Sequence, residues 1–426
     1  MRLLHTSDWH LGARLHGQSR TAEFENLMEW MLGVIRDNSV DVLVVSGDIF
    51  DSSVPGSGNQ GLYYRFLASL VATCCRNVVI IAGNHDSPSL ISASEELLRL
   101  LNIYVVGAAR ENPEDEVVTL HDGAGNAMAV VAAVPYLREG DVRLSEAGEG
   151  AEAKLDKYAT GIASHYDRVC THLHKVRQEA VALARGRHVP AVVTGHLYVI
   201  GSQDSESEHK LYVGNLGGVD GGMFPEWVDY VALGHLHKPQ RIGDRQNFRY
   251  SGSPLQLGFD AADQNRFVYL VDFPDVPGMP PDVAHIQVPV WQKLGSVHGK
   301  SWDEIERALT ALKSAGESIW IDVHYEGDHD LSDLAGRVHA AVDDSCVQAL
   351  RIHDHQRKSA VMLAKSPDEK LEDLEPVEVF RRRLAATTVL PDDQAALEAM
   401  FDEILYALRN RDGSAEPSPG DEGGAR

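Results

Sequence analysis

Five stretches of this sequence place oxygen- and nitrogen-bearing side chains directly after a short apolar run. They are SDWHLG with Asp8 and His10, SGDIFD with Asp48 and Asp51, GNHDS with Asn84, His85 and Asp86, TGHLY with His196, and GHLHK with His235 and His237. Carboxylate, amide oxygen and imidazole suit Mn²⁺, Fe²⁺ or Zn²⁺, and the lack of thiolates among them argues against a structural zinc. These candidates exceed what one ion needs, whereas two ions sharing a bridging carboxylate would use them. A pair of divalent ions roughly 3.5–4 Å apart activates water and clamps a phosphoryl group for in-line attack. A histidine beside the pair, not itself a ligand, protonates the leaving oxygen.

Singly, a Gly-Asp or a Gly-His carries little information. The weight comes from all five standing at strand ends, because ligand sites in open α/β sheets form at the carboxyl ends of strands. His172 and His174 make the contrast. They too are spaced HxH, but within a helical stretch, where two residues turn the chain by roughly 200° and the rings diverge. They read as surface histidines, Met28 and Met31 as core, and His5 as a packed or hydrogen-bonded strand residue.

The elements that must position these donors are legible as alternating strands and helices. Strands are expected at Arg2–Thr6, Val40–Val45, Val78–Ala82, Ile103–Val106, Met128–Val134, Ala191–Val193, Val228–Leu233 and Phe267–Val271. Phe24, Leu27, Met28, Met31, Leu32 and Ile35 fall on one helical face. Leu62–Cys74 and Ser89–Leu101 also read as helices. The alternation predicts an α/β sandwich with sheets buried between helices. The charged stretch Glu146–Arg187 reads as an insertion or a surface helix pair. The proline-rich DFPDVPGMPPD (272–282) reads as a domain boundary. Beyond it, a helix at Ser301–Ser314, a strand in SIWIDVHY (318–325) and its partner at Leu350–Ile352 predict a smaller α+β domain. Pro376 opens a helix with Val379 and Phe380, and a second carries Leu397, Met400, Phe401, Ile404, Leu405 and Leu408. Residues 412–426 have a disordered composition. The expected division is 1–275, 283–365, 370–410 and 412–426.

Bulk properties narrow the class. At 426 residues and 43% hydrophobic, the chain reads as a soluble protein of at least two domains. It shows neither a bilayer-spanning run nor a signal-peptide layout, so a cytoplasmic protein is expected. Cys74, Cys75, Cys170 and Cys346 form no CxxC pair and read as thiols in a reducing compartment. The formal net charge of −24 excludes a protein that holds nucleic acid by bulk electrostatics alone. The 20 histidines are an ample supply of ligands.

Together, D-x-H, G-D, G-N-H-D, G-H and G-H-x-H resemble the calcineurin-like metallophosphoesterases. HTSDWHLGARLHG, SGDIFDSS, AGNHDSP, ALGHLHKPQ, YSGSPLQLGFD and the C-terminal PVEVFRRRL resemble, more closely, the SbcD-type nuclease subunits of bacteria. The resemblance runs from residue 1 to about 405 and is thinnest over 110–190 and 300–350. It implies a metallophosphoesterase β-sandwich flanked by helices, with a smaller α+β capping domain and a C-terminal helical pair. By the same resemblance Asp8, His10, Asp48 and His237 hold one ion. Asp48 bridges to a second held by Asn84, His196 and His235, and His85 is the catalytic histidine. In phosphatases of the superfamily the aspartate three residues after the bridging one pairs with that histidine, so Asp51 is expected to hydrogen-bond His85 and raise its pKa. The phosphatase pattern continues with arginine where this chain has Ser52, which counts against a protein phosphatase.

The implied activity is metal-dependent DNA hydrolysis: 3′-to-5′ exonuclease action on duplex ends and endonuclease action on single strands and hairpins. Mn²⁺ is the expected ion, with Fe²⁺, Zn²⁺ or Mg²⁺ as alternatives. The implied partners are an SbcC-type ATPase, docked by the C-terminal helices, DNA, and a second copy of the chain. Leu62, Phe66, Leu67, Leu70, Leu97, Leu98 and Leu101 serve equally as dimer interface or as core. The alternatives are a small-substrate phosphodiesterase or nucleotidase on the same site, and a non-catalytic scaffold for DNA ends.

Overall fold

The computed structural model of the chain describes residues 1–143, 150–199, 219–327, 331, 333–355, 380, 397 and 401. In chain order its strands are β1 (Arg2–Thr6), β2 (Arg14–Leu15), β3 (Gln18–Ser19), β4 (Val42–Ser46), β5 (Asn77–Ile81), β6 (Ile103–Val106), β7 (Val117–His121), β8 (Ala127–Ala133), β9 (Ala191–His196), β10 (Tyr230–Gly234), β11 (Gln240–Arg241), β12 (Phe248–Tyr250), β13 (Phe267–Asp272), β14 (Asp282–Gln287), β15 (Lys293–Gly299), β16 (Ile319–Tyr325) and β17 (Val347–Asp354). The helices are α1 (Thr21–Asp37), α2 (Ser57–Leu70), α3 (Pro88–Ser92), α4 (Glu95–Arg99), α5 (Glu139–Val142), α6 (Ala151–Leu183), α7 (Trp302–Ala315) and α8 (Leu334–Val342). The chain divides into two compact units. One comprises Met1–Ser296, Leu312–Asp322 and Val342–Arg351; the other comprises Val297–Ala311, Val323–Ala341 and Ile352–Arg426.

The first unit contains two six-stranded sheets, ordered β14-β13-β1-β4-β5-β6 and β11-β12-β10-β9-β8-β7. Strands β1, β4, β5 and β6 run parallel, as do β8, β9, β10 and β12. Parallel strands covered on both faces read as unbroken apolar runs rather than alternating ones, and VLVVS of β4 and NVVII of β5 are buried at every position. Each fully buried Val, Ile or Leu contributes roughly 1.5–3 kcal/mol. Leu3, Val42, Val44, Val79 and Ile81 of one sheet meet Val131, Ala133, Val192 and Ala232 of the other in a common core. The outer face of the first sheet packs on α1 and α2 through Phe24, Leu27, Met31, Phe66 and Leu67. The outer face of the second packs on α6 through Ile162, Tyr166, Val169 and Leu173. The result is a helix–sheet–sheet–helix sandwich, the expected α/β class.

Three expectations need correction. The charged stretch before residue 187 is not a surface pair but one long helix, α6. Ile162, Tyr166, Val169 and Leu173 recur at spacings of four, three and four, and that stripe covers the second sheet. The proline-rich 272–282 is a connection within one sheet, because β14 pairs antiparallel with β13 from Phe267↔Gln287 to Asp272↔Asp282. Ser89–Leu101 is two short helices, α3 and α4, not one. A smaller three-stranded sheet, β15-β16-β17, follows, with β16 and β17 paired as expected. The helices expected over 370–410 and the tail over 412–426 lie outside the described residues, apart from Phe380, Leu397 and Phe401. The cysteines are free thiols, with Cys75 and Cys170 buried and Cys74 and Cys346 exposed. Among the described residues no helix is long and apolar enough to cross a membrane.

Candidate metal centre

The D-x-H and G-H-x-H motifs work because their middle residue is apolar. Trp9 is fully buried in the core beneath α1 and α2, edge-on to Phe66 at 5.5 Å, with its indole N–H donating to Thr6 Oγ1. Leu236 is fully buried in the core beneath α6. Each pins its loop, so the flanking donors, Asp8 and His10 or His235 and His237, occupy the rim where the two sheets meet. Leu173 plays the same part between His172 and His174. On a helix, however, the flanking rings part, His172 to Glu114 at 3.3 Å and His174 to Trp227.

The loops are locked together by main chain and glycine. Asp8 N–H donates to Gly47 O at 2.9 Å and His10 N–H to Asp48 O at 3.0 Å. A Cβ at Gly83 would overlap Asp48 Oδ1, and one at Gly234 would overlap Ser46 O. These glycines introduce donors because no other residue lets the strand ends approach so closely. Asp86, the last residue of GNHD, accepts from Ile49 N (3.1 Å), Phe50 N (2.9 Å) and Gly83 N (2.9 Å), tying the β4 loop to the β5 loop. Asp8, His10, Asp48 and His235 all have left-handed backbone, with φ of 52°, 49°, 50° and 102°. Such conformations cost on the order of 1–3 kcal/mol each and persist where the surroundings over-determine them.

The donors converge. His10 Nε2 and His237 Nε2 stand 3.1 Å apart, and His10 Nε2 is 3.6 Å from Asp48 Oδ2. Asn84 Oδ1 lies 3.0 Å from both His196 Nε2 and His235 Nδ1, and His196 Nε2 is 3.3 Å from Asp48 Oδ2. Ligand atoms of Asp8, His10 and His237 lie within 4.8 Å of one another, as do those of Asp8, Asp48 and His196. Edges of about 3 Å match nitrogens and oxygens each about 2.1 Å from a common ion. Two of the other ring nitrogens face oxygens, as in metal sites. His196 Nδ1–H donates to Ser46 O at 2.8 Å, and His10 Nδ1 faces Asp51 Oδ1 at 3.4 Å. Asp8 Oδ1 accepts from His235 N, Asp48 Oδ1 accepts from His85 N, and Ser7 Oγ–H donates to Asp8 Oδ2.

Electrostatics favour added positive charge. Asp8 and Asp48 are essentially inaccessible to solvent, and two carboxylates at this spacing repel by roughly 3–4 kcal/mol at an effective dielectric of about 20. Burial, against the opposing pull of His196, drives the Asp8 carboxyl up to about 7. Burial also pushes Asp48 upward, but His196, His10 and His85 outweigh it and hold that carboxyl well below the usual range. Burial would lower His196, yet Asp48 and Asp8 lift it to about 9. Burial and then the neighbouring His196 push His235 down to about 3, and burial and His10 push His237 well down. Two acids and four imidazoles thus share one buried site. The donor set fits a pair of divalent cations.

All seven sequence-predicted donors meet at this rim, and His85 borders it, its ring 4.8 Å from that of His10. Asp51 is placed differently from expectation. His85 Nδ1 contacts the Asp51 backbone carbonyl at 2.9 Å, while the carboxylate turns to His10. Asp51 extends the pairing of Phe50 with Leu11, its N–H bonded to Leu11 O, and the carbonyl of this extended segment reaches His85. His5 is buried within β1 and bonded to Tyr230 Oη at 3.0 Å, the packed strand residue expected. Sequence reasoning missed Tyr136 and Arg138. Tyr136 stacks on His235 at 6.2 Å, and Arg138 donates to Asp86 O at 3.2 Å. Both follow β8, a sixth strand end that the sequence marks with no histidine or carboxylate.

Comparison with known proteins agrees with this architecture. The family model of the calcineurin-like phosphoesterases matches residues 1–239, and that of the Type 5 capsule protein repressor C-terminal domain matches residues 290–388. The chain is 32% identical over 410 residues to the SbcD component of the SbcCD nuclease of Escherichia coli K12, covering 96% of this chain and 98% of that protein. It is 33% identical over 276 residues to the protein of the same name from Bacillus subtilis strain 168, covering 64% and 66%. It is 34% identical over 284 residues to that of Rhodobacter capsulatus, again covering 64% and 66%.

Proposed function

This chain belongs to the calcineurin-like phosphoesterase family, and to the SbcD-type nuclease subunits within it, and from that premise we infer that it is the metal-dependent DNA nuclease subunit of a complex with an SbcC-type ATPase. The observation that carries this reading is the meeting of seven donors from five strand ends at one rim. In the assignment we favour, Asp8, His10, Asp48 and His237 hold one divalent ion, and Asp48, Asn84, His196 and His235 hold the other. Two bound ions supply Lewis-acid stabilisation of the phosphoryl oxygens and lower the barrier to attack by water. The chain's own residues do the rest. His85 donates its Nδ1–H to the Asp51 carbonyl, which leaves Nε2 as the nitrogen that faces the leaving oxygen and, in the imidazolium form, protonates it. Asp86 keeps the β4 and β5 loops in register, and Tyr136 fixes the plane of the His235 ring.

Mn²⁺ is the ion we propose, since a set of two carboxylates and an amide beside imidazole accepts it readily. The substrates proposed are duplex ends, single strands and hairpins. Residues 370–410 are assigned to docking the ATPase, and a pull-down with them deleted tests that. Leu62, Phe66, Leu67 and Leu70 are core, whereas Leu97 and Leu101 are exposed and support a contact with a second copy. The decisive test supplies Mn²⁺ with a labelled hairpin oligonucleotide and, separately, a cyclic mononucleotide. The nuclease reading predicts cleavage of the hairpin and loss of it in His85→Ala with metal retained. Turnover of the mononucleotide alone would make the chain a small-substrate phosphodiesterase, and a His85→Ala protein as active in its complex as the parent would make it a scaffold.

A further inference from the structure

The smaller sheet gathers a second set of imidazoles. His298 on β15, His324 on β16, and His353 and His355 on and just after β17 come together in one compact unit. His324 is the hub. Its ring centroid lies 4.5 Å from that of His298, 4.8 Å from that of His353 and 5.3 Å from that of His355. His324 Nδ1 and His355 Nε2 are 3.0 Å apart, and a ring nitrogen of His324, one of His353 and a carboxylate oxygen of Asp322 lie within 4.8 Å of one another. His298 is exposed, and the other three are half-buried.

Alternation along regular strands explains how they meet: residues two apart on β17 share a face, and neighbouring strands bring their occupants within ring contact. It does not explain why four imidazoles should be grouped at water's edge. A cation held by imidazole lone pairs accounts for the grouping. We propose that His324 and His355 hold a transition-metal ion, distinct from the rim of the large sandwich, with His353 beside it and water completing the coordination. The 3.0 Å nitrogen pair has about the edge length of two imidazoles on one ion about 2.0–2.1 Å from each. A set dominated by imidazole selects Zn²⁺, Ni²⁺ or Cu²⁺ over Mn²⁺ or Mg²⁺. His298 is not a ligand as it stands. Its Nδ1 is engaged by Glu326 Oε1 at 3.0 Å. It forms the outer wall.

Metal uptake by the full-length protein tests this. Wild type and His324→Gln/His355→Gln are dialysed against roughly micromolar Zn²⁺, or separately Mn²⁺, and their bound metal is measured. The expected result is about one equivalent less Zn²⁺ in the double variant, with Mn²⁺ content and hairpin cleavage unchanged. Equal Zn²⁺ uptake by the two proteins overturns the proposal. A second measurement needs no variant. Carbethoxylation of wild-type histidines, mapped by mass spectrometry, should be suppressed by Zn²⁺ at His324 and His355 and not at the exposed His339 of α8. Equal suppression at His339, or none at the two, also overturns it. Neither measurement depends on what occupies the sandwich rim.

Discussion

The strand-end donors of the sandwich and the imidazoles of the small sheet are built in opposite ways. The first set is buried, mixes carboxylate with imidazole, and sits on loops where four residues have left-handed backbone. The second is partly exposed, dominated by imidazole, and occupies regular strand positions and the residue just after them, all with ordinary backbone. Burying two carboxylates takes a framework able to resist their repulsion, and Trp9, Leu236, Asp86 and the close-approach glycines provide it. Exposed imidazoles need only strand alternation. The cost of a site is therefore written into its surroundings.

Four changes test that difference, in falling order of effect. Asp48→Asn removes the carboxylate shared by both halves of the donor set. Hairpin hydrolysis should fall on the order of 10⁴-fold, with metal content reduced; retention of near-parental activity would deny Asp48 its central place. His85→Ala should cost about 10²–10⁴-fold in turnover while leaving bound metal intact, a split that steady-state rates and metal analysis read together. Gly83→Ala forces a Cβ into the Asp48 carboxylate and should destabilise the fold by about 1–3 kcal/mol, read by thermal melting alongside weaker metal binding. Asp51→Asn leaves the backbone carbonyl at His85 in place and weakens only the support of His10. It should lose about 10-fold in metal affinity and keep the turnover of the loaded enzyme.

Acid should also weaken the rim. A ligand must shed its proton to bind metal. His196, lifted to about 9, and Asp8, lifted to about 7, are protonated below those values in the metal-free protein. Apparent affinity at the rim should therefore weaken as pH falls through about 9 and again through about 7. Calorimetric titration across that range should show proton release on binding. A flat profile would mean that these groups are not ligands.

Much of the rim was legible because its residues break the local pattern. Asp8, Asp48, Asn84 and His235 are poor packing choices directly after buried strands, so their presence there marks a task. Trp9 and Leu236 were visible only as the middle letters of their motifs. Their pinning role depends on two separate cores that sequence does not reveal. Asp51 misled because its type suggested a charge pair, whereas its carbonyl makes the contact. Tyr136 follows a strand like the others but is an ordinary apolar-aromatic letter in PYLREG, with nothing to separate it from core. The long helix α6 was hidden by its charged face, although its Ile162, Tyr166, Val169 and Leu173 stripe has helical spacing. The imidazoles of the small sheet obey strand alternation, and nothing along the chain links His298 to His324 and His355 until the strands pair.

The central claim is that side chains from five strand ends share two divalent ions. Anomalous diffraction from Mn²⁺-soaked crystals tests it most directly. Two peaks are expected roughly 3.5–4 Å apart, one beside Asp8, His10 and His237, the other beside Asn84, His196 and His235, with Asp48 between them. A single peak, or peaks away from these residues, would contradict it.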